Sequence, residues 1–458
     1  MKIAIIGGGI SGLALGYLLK EASPDADIAI YEELRRPGGK IWTERHDGFL
    51  LEGGVNGFLN NRPKTLELAA ALNLAPLKSS DKARKRYVYS RGKLNLIPEG
   101  VLDFFTSDLL SIGGRLRIIL ETIAPRSSSD DETLSEFATR RLGRDAYETL
   151  IDPMASGIYA GDSTRLSLKS CFPKIYNLEA KYGSLIVGML KMKMAARKTG
   201  RTVSAGPGGV LTSFQDGMGA LIDALAARLG SAIVNNRRVI AVEKTANKYQ
   251  IHFKDAQTEE ADIVVLSTPA HAAKDILSGL DKNLSRQLAE IPYPYVTVVS
   301  MAFKREAVRG GFDGFGFLIP FKEGRRILGT LCDSSTFPGR APEGYLLFRT
   351  MLGGARAGAI ASLDDEKIID TVFSELSDII KVKGTPEMVK IFRHEKAIPQ
   401  YNKGHAALLG AINESLKAHD GLYLHGNSYK GISVNDCIEQ SYSLANSLSS
   451  SIMGKHRL

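Results

Sequence analysis

Glycines at Gly7, Gly9 and Gly12, and an acid at Glu32 twenty residues beyond the last of them, carry the sharpest chemical signal in this chain. Glycines at that spacing permit a tight turn and let backbone N–H groups approach a pyrophosphate, whose charge is stabilised at a helix N-terminus. A carboxylate at Glu32 can accept hydrogen bonds from both ribose hydroxyls and repels a 2′-phosphate, which argues against NADP. The surrounding residues supply the elements such chemistry needs. Lys2 to Ile6 reads as a short buried strand feeding the turn, an apolar helical stretch follows to about Leu19, and a second apolar strand over 28–31 ends on Glu32. Only one complete fingerprint is present, so two such folds holding FAD and a nicotinamide together are not expected.

Further motifs extend the signal. Gly38-Gly39-Lys40 and Glu52-Gly53-Gly54-Val55-Asn56-Gly57 follow Glu32 closely. Near the other end, Gly421 to Ile438 gives a strand, a glycine turn and a helix starting near Val434, whose dipole would stabilise negative charge on a reduced flavin ring. These stretches resemble the FAD-binding flavoproteins that include amine oxidases, phytoene desaturases and protoporphyrinogen oxidases. The C-terminal block is similar to the closing motif of the protoporphyrinogen oxidases. Ser156 to Asp162, Met351 to Gly354 and Ile398 to His405 also resemble that family, so the likeness covers most of the chain. The chain departs from it at Lys40, where arginine is common, at Val55, where proline is usual, and at Ala406, where relatives carry tryptophan.

The resemblance implies a fold of α/β and α+β class: a Rossmann-like FAD-binding domain, an antiparallel-sheet substrate domain and a helical membrane-binding insertion. The expected boundaries give the FAD-binding domain 1–80, 211–275 and 399–458, the substrate domain 81–99 and 276–398, and the helical domain 100–210. It implies non-covalent FAD, contacted by Gly7, Gly8, Gly9, Ile10, Ser11, Gly12, Glu32, Glu33, Lys40, Gly54, Val55, Asn56, Gly57, Val239, Ile432, Ser433 and Val434. An apolar substrate cavity would be lined by Gly157, Phe315, Leu318, Leu331 and Met351. The implied reaction is oxidation of protoporphyrinogen IX to protoporphyrin IX with oxygen as acceptor. It needs no dedicated catalytic side chain and no metal, because the protein's task is placement. His405 and His425 accordingly read as structural, and Cys437 as a buried helical cysteine. Coproporphyrinogen III, which carries more propionates, is the alternative substrate. An amine oxidase, a carotenoid desaturase and a non-enzymatic flavin-binding membrane adaptor are the remaining readings.

Elsewhere the chain alternates in character. Apolar residues from Phe104 and Phe105 to Ile119 recur at helical spacing, with Gly113-Gly114 expected to interrupt them. Thr133-Leu134-Ser135-Glu136 is a capping-box pattern for a helix that Gly143 would close. Helical character runs to about 200 and loosens at Ala205 to Gly209. Met218 to Leu229 reads as a helix stopped by Gly230. Short strands near 232–235, 238–244, 248–253 and 262–267 look like a return to the first sheet. Runs at 296–303, 315–319, 326–332 and 345–352 predict a separate antiparallel sheet, followed by a helix at about 364–382.

Composition bounds the rest. The 458 residues are 44% hydrophobic and 24% charged, which excludes a disordered or membrane-embedded chain and is long enough for more than one core. Cys171, Cys332 and Cys437 lie too far apart for a zinc or redox motif, and a cytoplasmic protein fits best. The uncharged run Ile3 to Leu19 holds five glycines and no small-residue cleavage site, so it is not read as a signal sequence. Arg165 to Arg201 holds nine basic residues against Glu179 alone, a local balance of +8 within a formal +9. With no aromatic ladder among them, these residues do not point to nucleic acid. They fit peripheral attachment to an anionic membrane surface, or else a solvated basic face. Assembly as a homodimer stays open.

Overall fold

The computed structural model describes residues 1–98, 109–198 and 209–455. Phe104, Phe105, Arg201 and Ala205 to Gly208 lie outside the described residues, as do the side chains of Arg197 and Lys198. The strand Lys2–Ile6 pairs in parallel with Asp27–Tyr31 on one side and Ile263–Leu266 on the other. Ile233–Val234 and Leu422–Leu424 complete a five-stranded parallel sheet. Both faces of these strands are apolar because both are covered. Ile3 and Ile5 pack under the helices Ile10–Ala22, Gly219–Leu229 and Val434–Lys455, whereas Ala4 and Ile6 face a second layer. That layer is a three-stranded antiparallel sheet of Val239–Thr245, Lys248–Phe253 and Thr258–Ala261, with the helix Ala270–Ile276. The expectation that 238–253 rejoins the first sheet is therefore corrected. Its alternating burial, with Tyr249, Ile251 and Phe253 inward, marks a sheet covered on one face only.

A seven-stranded sheet forms the other main layer. Its order is Met388–His394, Val296–Lys304, Tyr345–Gly353, Ile327–Cys332, Gly316–Leu318, Arg86–Ser90 and Lys93–Leu96. All neighbours run antiparallel except Gly316–Leu318 with Arg86–Ser90, which are parallel. One face, carrying Phe303, Phe317 and Phe348, is sealed by the helix Asp365–Ile379 through Ile368, Val372 and Leu376. The opposite face presents Leu318, Leu331 and Met351, since residues two apart on a strand share a face.

Residues 109–198 are helical. Both bonds of the capping box form: Glu136 N–H donates to Thr133 Oγ1 at 3.2 Å and Thr133 N–H to Glu136 Oε2 at 2.7 Å, and Gly143 ends the helix at φ +89°. Gly113-Gly114 does not interrupt its helix. Both glycines sit in the first turn of Ile112–Ile119, where Ser111 Oγ accepts from Gly114 N–H at 3.0 Å, so the cap offsets their low helix propensity. Arg141, fully buried, lies between Glu121 and Glu179 and ties three helical segments together. Among the described residues no helix is long and apolar enough to cross a membrane, and no cluster of side chains is suited to a metal ion.

Candidate active site

The parallel sheet delivers its loops to one edge, the carboxyl ends of its strands, where such folds bind dinucleotides. Gly7 follows Lys2–Ile6 at φ +107°, a conformation that favours glycine, and a Cβ there would stand 3.0 Å from the carbonyl of Ser267. A Cβ at Gly9 would meet nothing within 4 Å, so the turn is open where a ligand's phosphates would approach. A second glycine turn runs beside the first, Gly38 N–H donating to Gly8 O at 2.7 Å. Glu32 is buried at the tip of its strand. Its Oε2 accepts from Gly8 N–H at 2.8 Å and its Oε1 from Leu34 N–H at 3.0 Å. A carboxylate has acceptor capacity left for ribose hydroxyls after these two bonds. Burial raises its pKa, and the two backbone donors oppose that shift.

Lys40 enters the same cleft from the second glycine turn. Its ammonium donates to the main-chain oxygen of Lys396, and no carboxylate among the described residues pairs with it. Burial pushes its pKa down to about 8. His394 Nε2–H donates to Gly53 O at 2.7 Å, and burial, aided by the charge of Lys40, holds both His394 and His271 below the usual imidazole range. Among the described residues, the buried Ser267 Oγ and Thr268 Oγ1 beside Gly7, His271 Nδ1 within reach of the Lys40 charge, and Asn56 Nδ2 have no hydrogen-bond partner. Buried polar atoms are ordinarily paired. Orphaned donors and an unpaired cation at an open glycine turn fit the diphosphate and polyhydroxy chain of a dinucleotide.

The helix Val434–Lys455 closes the cleft. Ser433 caps it, its Oγ accepting from Asp436 N–H at 3.1 Å, after Gly431 at φ +67° turns the chain. The helix is pinned two turns in, at Ser441. His425 bonds Ser441 Oγ at 2.9 Å, and Ser441 Oγ donates to Ser11 O at 3.1 Å, so His425 wires the last strand to the first and last helices. Burial lowers its pKa to about 4, and that of His405, stacked on Tyr401 at 4.2 Å, to about 4 as well. Cys437 is buried and its thiol is pushed up to about 11 by burial.

The seven-stranded sheet meets this cleft through Arg349. Its Nη1 donates to Gly54 O at 2.7 Å while its Nε bonds Asp333 at 3.0 Å. Arg349 shares its face with Leu331 and Met351, so the strand that carries this apolar row is tied to the Gly54-Val55-Asn56 loop.

The model of a family described as flavin containing amine oxidoreductase matches residues 10–448. The chain belongs to that family. A coproporphyrinogen III oxidase of Bacillus subtilis is 31% identical over 96% of both chains, and a chloroplastic protoporphyrinogen oxidase of Arabidopsis thaliana is 33% identical over 96% of this chain and 86% of its own. A solved structure from Exiguobacterium sp. 255-15, assigned as a protoporphyrinogen oxidase, superposes with a TM-score of 0.85 at 26% identity, over 98% of this chain and 99% of that one. Within the flavin amine oxidoreductases, the chain thus groups with the protoporphyrinogen and coproporphyrinogen oxidases. It is an FAD-dependent oxidoreductase.

In this flavoprotein the residues expected at the cofactor fall into two sets. Gly7, Gly8, Gly9, Ile10, Ser11 and Gly12 lie in the turn and helix start after Lys2–Ile6, Glu32 bonds Gly8 N–H, and Gly54, followed by Val55 and Asn56, lies against Lys40 O. Gly57 packs on Thr212 and Leu211, and Ile432-Ser433-Val434 leads into the last helix. Val239 is buried at the start of its strand in the three-stranded sheet, two residues beyond Arg237, whose N–H donates to Glu32 O at 2.8 Å. Glu33 points outward to Arg238, 3.7 Å away. Of the substrate positions, Leu318, Leu331 and Met351 share the sheet face, and Gly157 lies on Leu318, where a Cβ would come within 2.7 Å of Cδ2. Phe315 precedes its strand and holds the Arg86 guanidinium over its ring at 5.1 Å. Sequence reasoning missed Arg349, His394, Ser267, Thr268 and Arg86. For Arg349 a signal existed, because it stands two residues before Met351 on a strand.

Proposed function

We propose that this oxidoreductase oxidises protoporphyrinogen IX to protoporphyrin IX, with oxygen as the terminal acceptor and FAD held non-covalently. When bound, FAD supplies a ring that accepts hydride. The chain's own part is to bind, orient and exclude water. Glu32 takes the ribose end, and Lys40, Ser267 and Thr268 provide charge and donors for the diphosphate. The N-terminus of Val434–Lys455 stabilises negative charge at the ring. Leu318, Leu331 and Met351 offer an apolar floor to a flat macrocycle, and Arg86 on Phe315 offers a cation to a propionate at its edge. The observation that supports this reading is the Arg349–Gly54 bond, which ties the strand carrying Met351 to the loop we assign to the cofactor. Oxidation of a porphyrinogen bridge needs no dedicated base, in keeping with histidines at 405 and 425 that stay neutral and buried.

Coproporphyrinogen III is the second reading, favoured by the Bacillus subtilis relative, which matches over 96% of each chain. Steady-state porphyrin fluorescence with each porphyrinogen, at equal flavin content, separates the two. We expect the higher kcat/KM with protoporphyrinogen IX, and a preference for coproporphyrinogen III would replace that assignment.

Peripheral attachment to an anionic membrane is part of the proposal. Ile112 and Ile123 are each 75% exposed, with Leu116, Ile119 and Leu120 between them. Met189, Leu190, Met192 and Met194 are exposed on the helix Leu185–Lys198 nearby. Glu121 joins the two apolar sets. Its carboxylate accepts from Ser184 Oγ at 2.6 Å and from Leu185 N–H at 2.8 Å, fixing the start of that helix beside Ile119 and Leu120. Exposed apolar patches of this kind mark interaction surfaces, and Lys191 and Lys193 add positive charge.

A further inference from the structure

We propose that Arg356 is a positioning residue: it clamps the helix Asp152–Tyr159 onto the seven-stranded sheet and so sets the height of the slot that receives the substrate. The inference rests on the reading above for the substrate and for the apolar face that receives it. Arg356 follows the strand Tyr345–Gly353, which carries Met351. Asp152 is the first residue of the helix that carries Gly157, and Asp162 and Ser163 lie on the return beyond that helix. The guanidinium grips both ends. Nε bonds Asp162 Oδ1 at 3.0 Å, Nη1 bonds Asp152 Oδ2 at 3.1 Å, and Nη2 reaches Asp162 Oδ1 at 2.8 Å, Asp152 Oδ1 at 2.7 Å and Ser163 Oγ at 2.9 Å. Its flat side lies on the Phe321 ring at 4.7 Å.

The return is made possible by Ala160, which takes a left-handed conformation at φ +47° and accepts Ala355 N–H on its carbonyl at 2.8 Å. The last turn of the helix and the end of the strand are thus joined by main chain and by Arg356 together. Between these ties, the helix touches the sheet through a glycine. Gly157 rides on Leu318, and Leu318 in turn leans over Gly329, whose own Cβ would stand 3.2 Å from Leu318 Cδ2. Leu318, Gly329 and Met351 form one row across the sheet, so Leu318 and Met351 are about 10 Å apart, two strand spacings. Because Gly157 meets Leu318 without a side chain of its own, small movements of the helix change how much of Leu318 and the apolar face beyond it stays uncovered. Removing the arginine leaves Asp152 and Asp162 as facing like charges that push the helix end off the sheet. Lysine supplies one point charge in place of a planar fork and cannot make the same set of bonds. The cofactor loop is tied separately, through Arg349, so the clamp acts on the substrate side alone.

The test combines steady-state kinetics on FAD-loaded wild type, Arg356→Ala and Arg356→Lys with hydrogen exchange over residues 152–159 in the same samples. The clamp predicts full flavin content, KM raised about tenfold with kcat changed less than about threefold, and faster exchange over the helix in Arg356→Ala. Arg356→Lys recovers part of the KM, and added guanidinium lowers the KM of Arg356→Ala. Unchanged KM and unchanged exchange in Arg356→Ala overturn the proposal. So does joint loss of flavin and solubility in both Arg356→Ala and the milder Asp162→Asn, which would make the cluster a folding element only. If the wild type oxidises neither porphyrinogen, the functional reading falls and exchange decides the clamp by itself. Acceleration over 152–159 then upholds it, and no change overturns it.

Discussion

Arg349 reaches across 295 positions of sequence to donate to the main-chain oxygen of Gly54 at 2.7 Å, while Asp333 holds its other side at 3.0 Å. Arg349 and Asp333 are nearly inaccessible to solvent. Replacing Arg349 by methionine leaves Asp333 as a buried, unpaired charge and frees the cofactor loop. The expected cost is about 3–5 kcal/mol of stability, with a lower ratio of flavin to protein absorbance after purification. Thermal unfolding and that ratio check it. A variant of wild-type stability that retains its flavin would show that the bond does not tie the two layers.

Glu32 serves the protein and the cofactor at once. Glu32→Ala removes the ribose acceptor and also orphans the N–H groups of Gly8 and Leu34. FAD affinity should fall by about 1–3 kcal/mol, read by titrating apoprotein with FAD and following flavin fluorescence. An unaltered dissociation constant would remove Glu32 from the cofactor site.

Lys40 makes cofactor binding depend on pH in a defined direction. Its pKa is pushed down to about 8 by burial, and an arriving diphosphate favours the charged form. Binding therefore takes up a proton whenever Lys40 is neutral beforehand. Affinity is at its full value below about pH 8 and weakens above it, by up to about tenfold per pH unit. The dissociation constant measured from pH 7 to 9.5 should show this slope, and Lys40→Met should flatten it. A flat wild-type profile would place the ammonium away from the phosphates.

The apolar patch gives a prediction separable from the chemistry. Each buried methylene contributes roughly 0.8 kcal/mol and each basic residue near an anionic surface about 1 kcal/mol. Leu116→Asp with Leu190→Asp should abolish sedimentation with anionic vesicles, and Lys191→Glu with Lys193→Glu should weaken it. Activity in detergent should hold in both cases. Salt should weaken the wild-type association. Equal binding by all of these proteins would make the patch a solvated face.

How much of this could be read from the chain alone follows the distance over which each feature is encoded. The strand, glycine turn, helix and Glu32 occupy the first 32 residues, and the start of Val434–Lys455 is marked by Gly431 and Ser433, so local spacing was enough for both. Arg349 and His394 were hidden because strand register, set by burial over hundreds of residues, carries them to Gly54 and Gly53. The strand Arg86–Ser90 forms a local hairpin with Lys93–Leu96, and only its pairing with the distant Gly316–Leu318, which draws the hairpin into the large sheet, was beyond local reading. Gly113-Gly114 misled because a cap at Ser111, not helix propensity, decides that turn.

Anaerobic mixing of the FAD-loaded protein with protoporphyrinogen IX tests the central claim most directly. The absorbance of the oxidised flavin should bleach on mixing and return when oxygen is admitted, with porphyrin fluorescence appearing in step. Flavin that stays oxidised with both protoporphyrinogen IX and coproporphyrinogen III would contradict it.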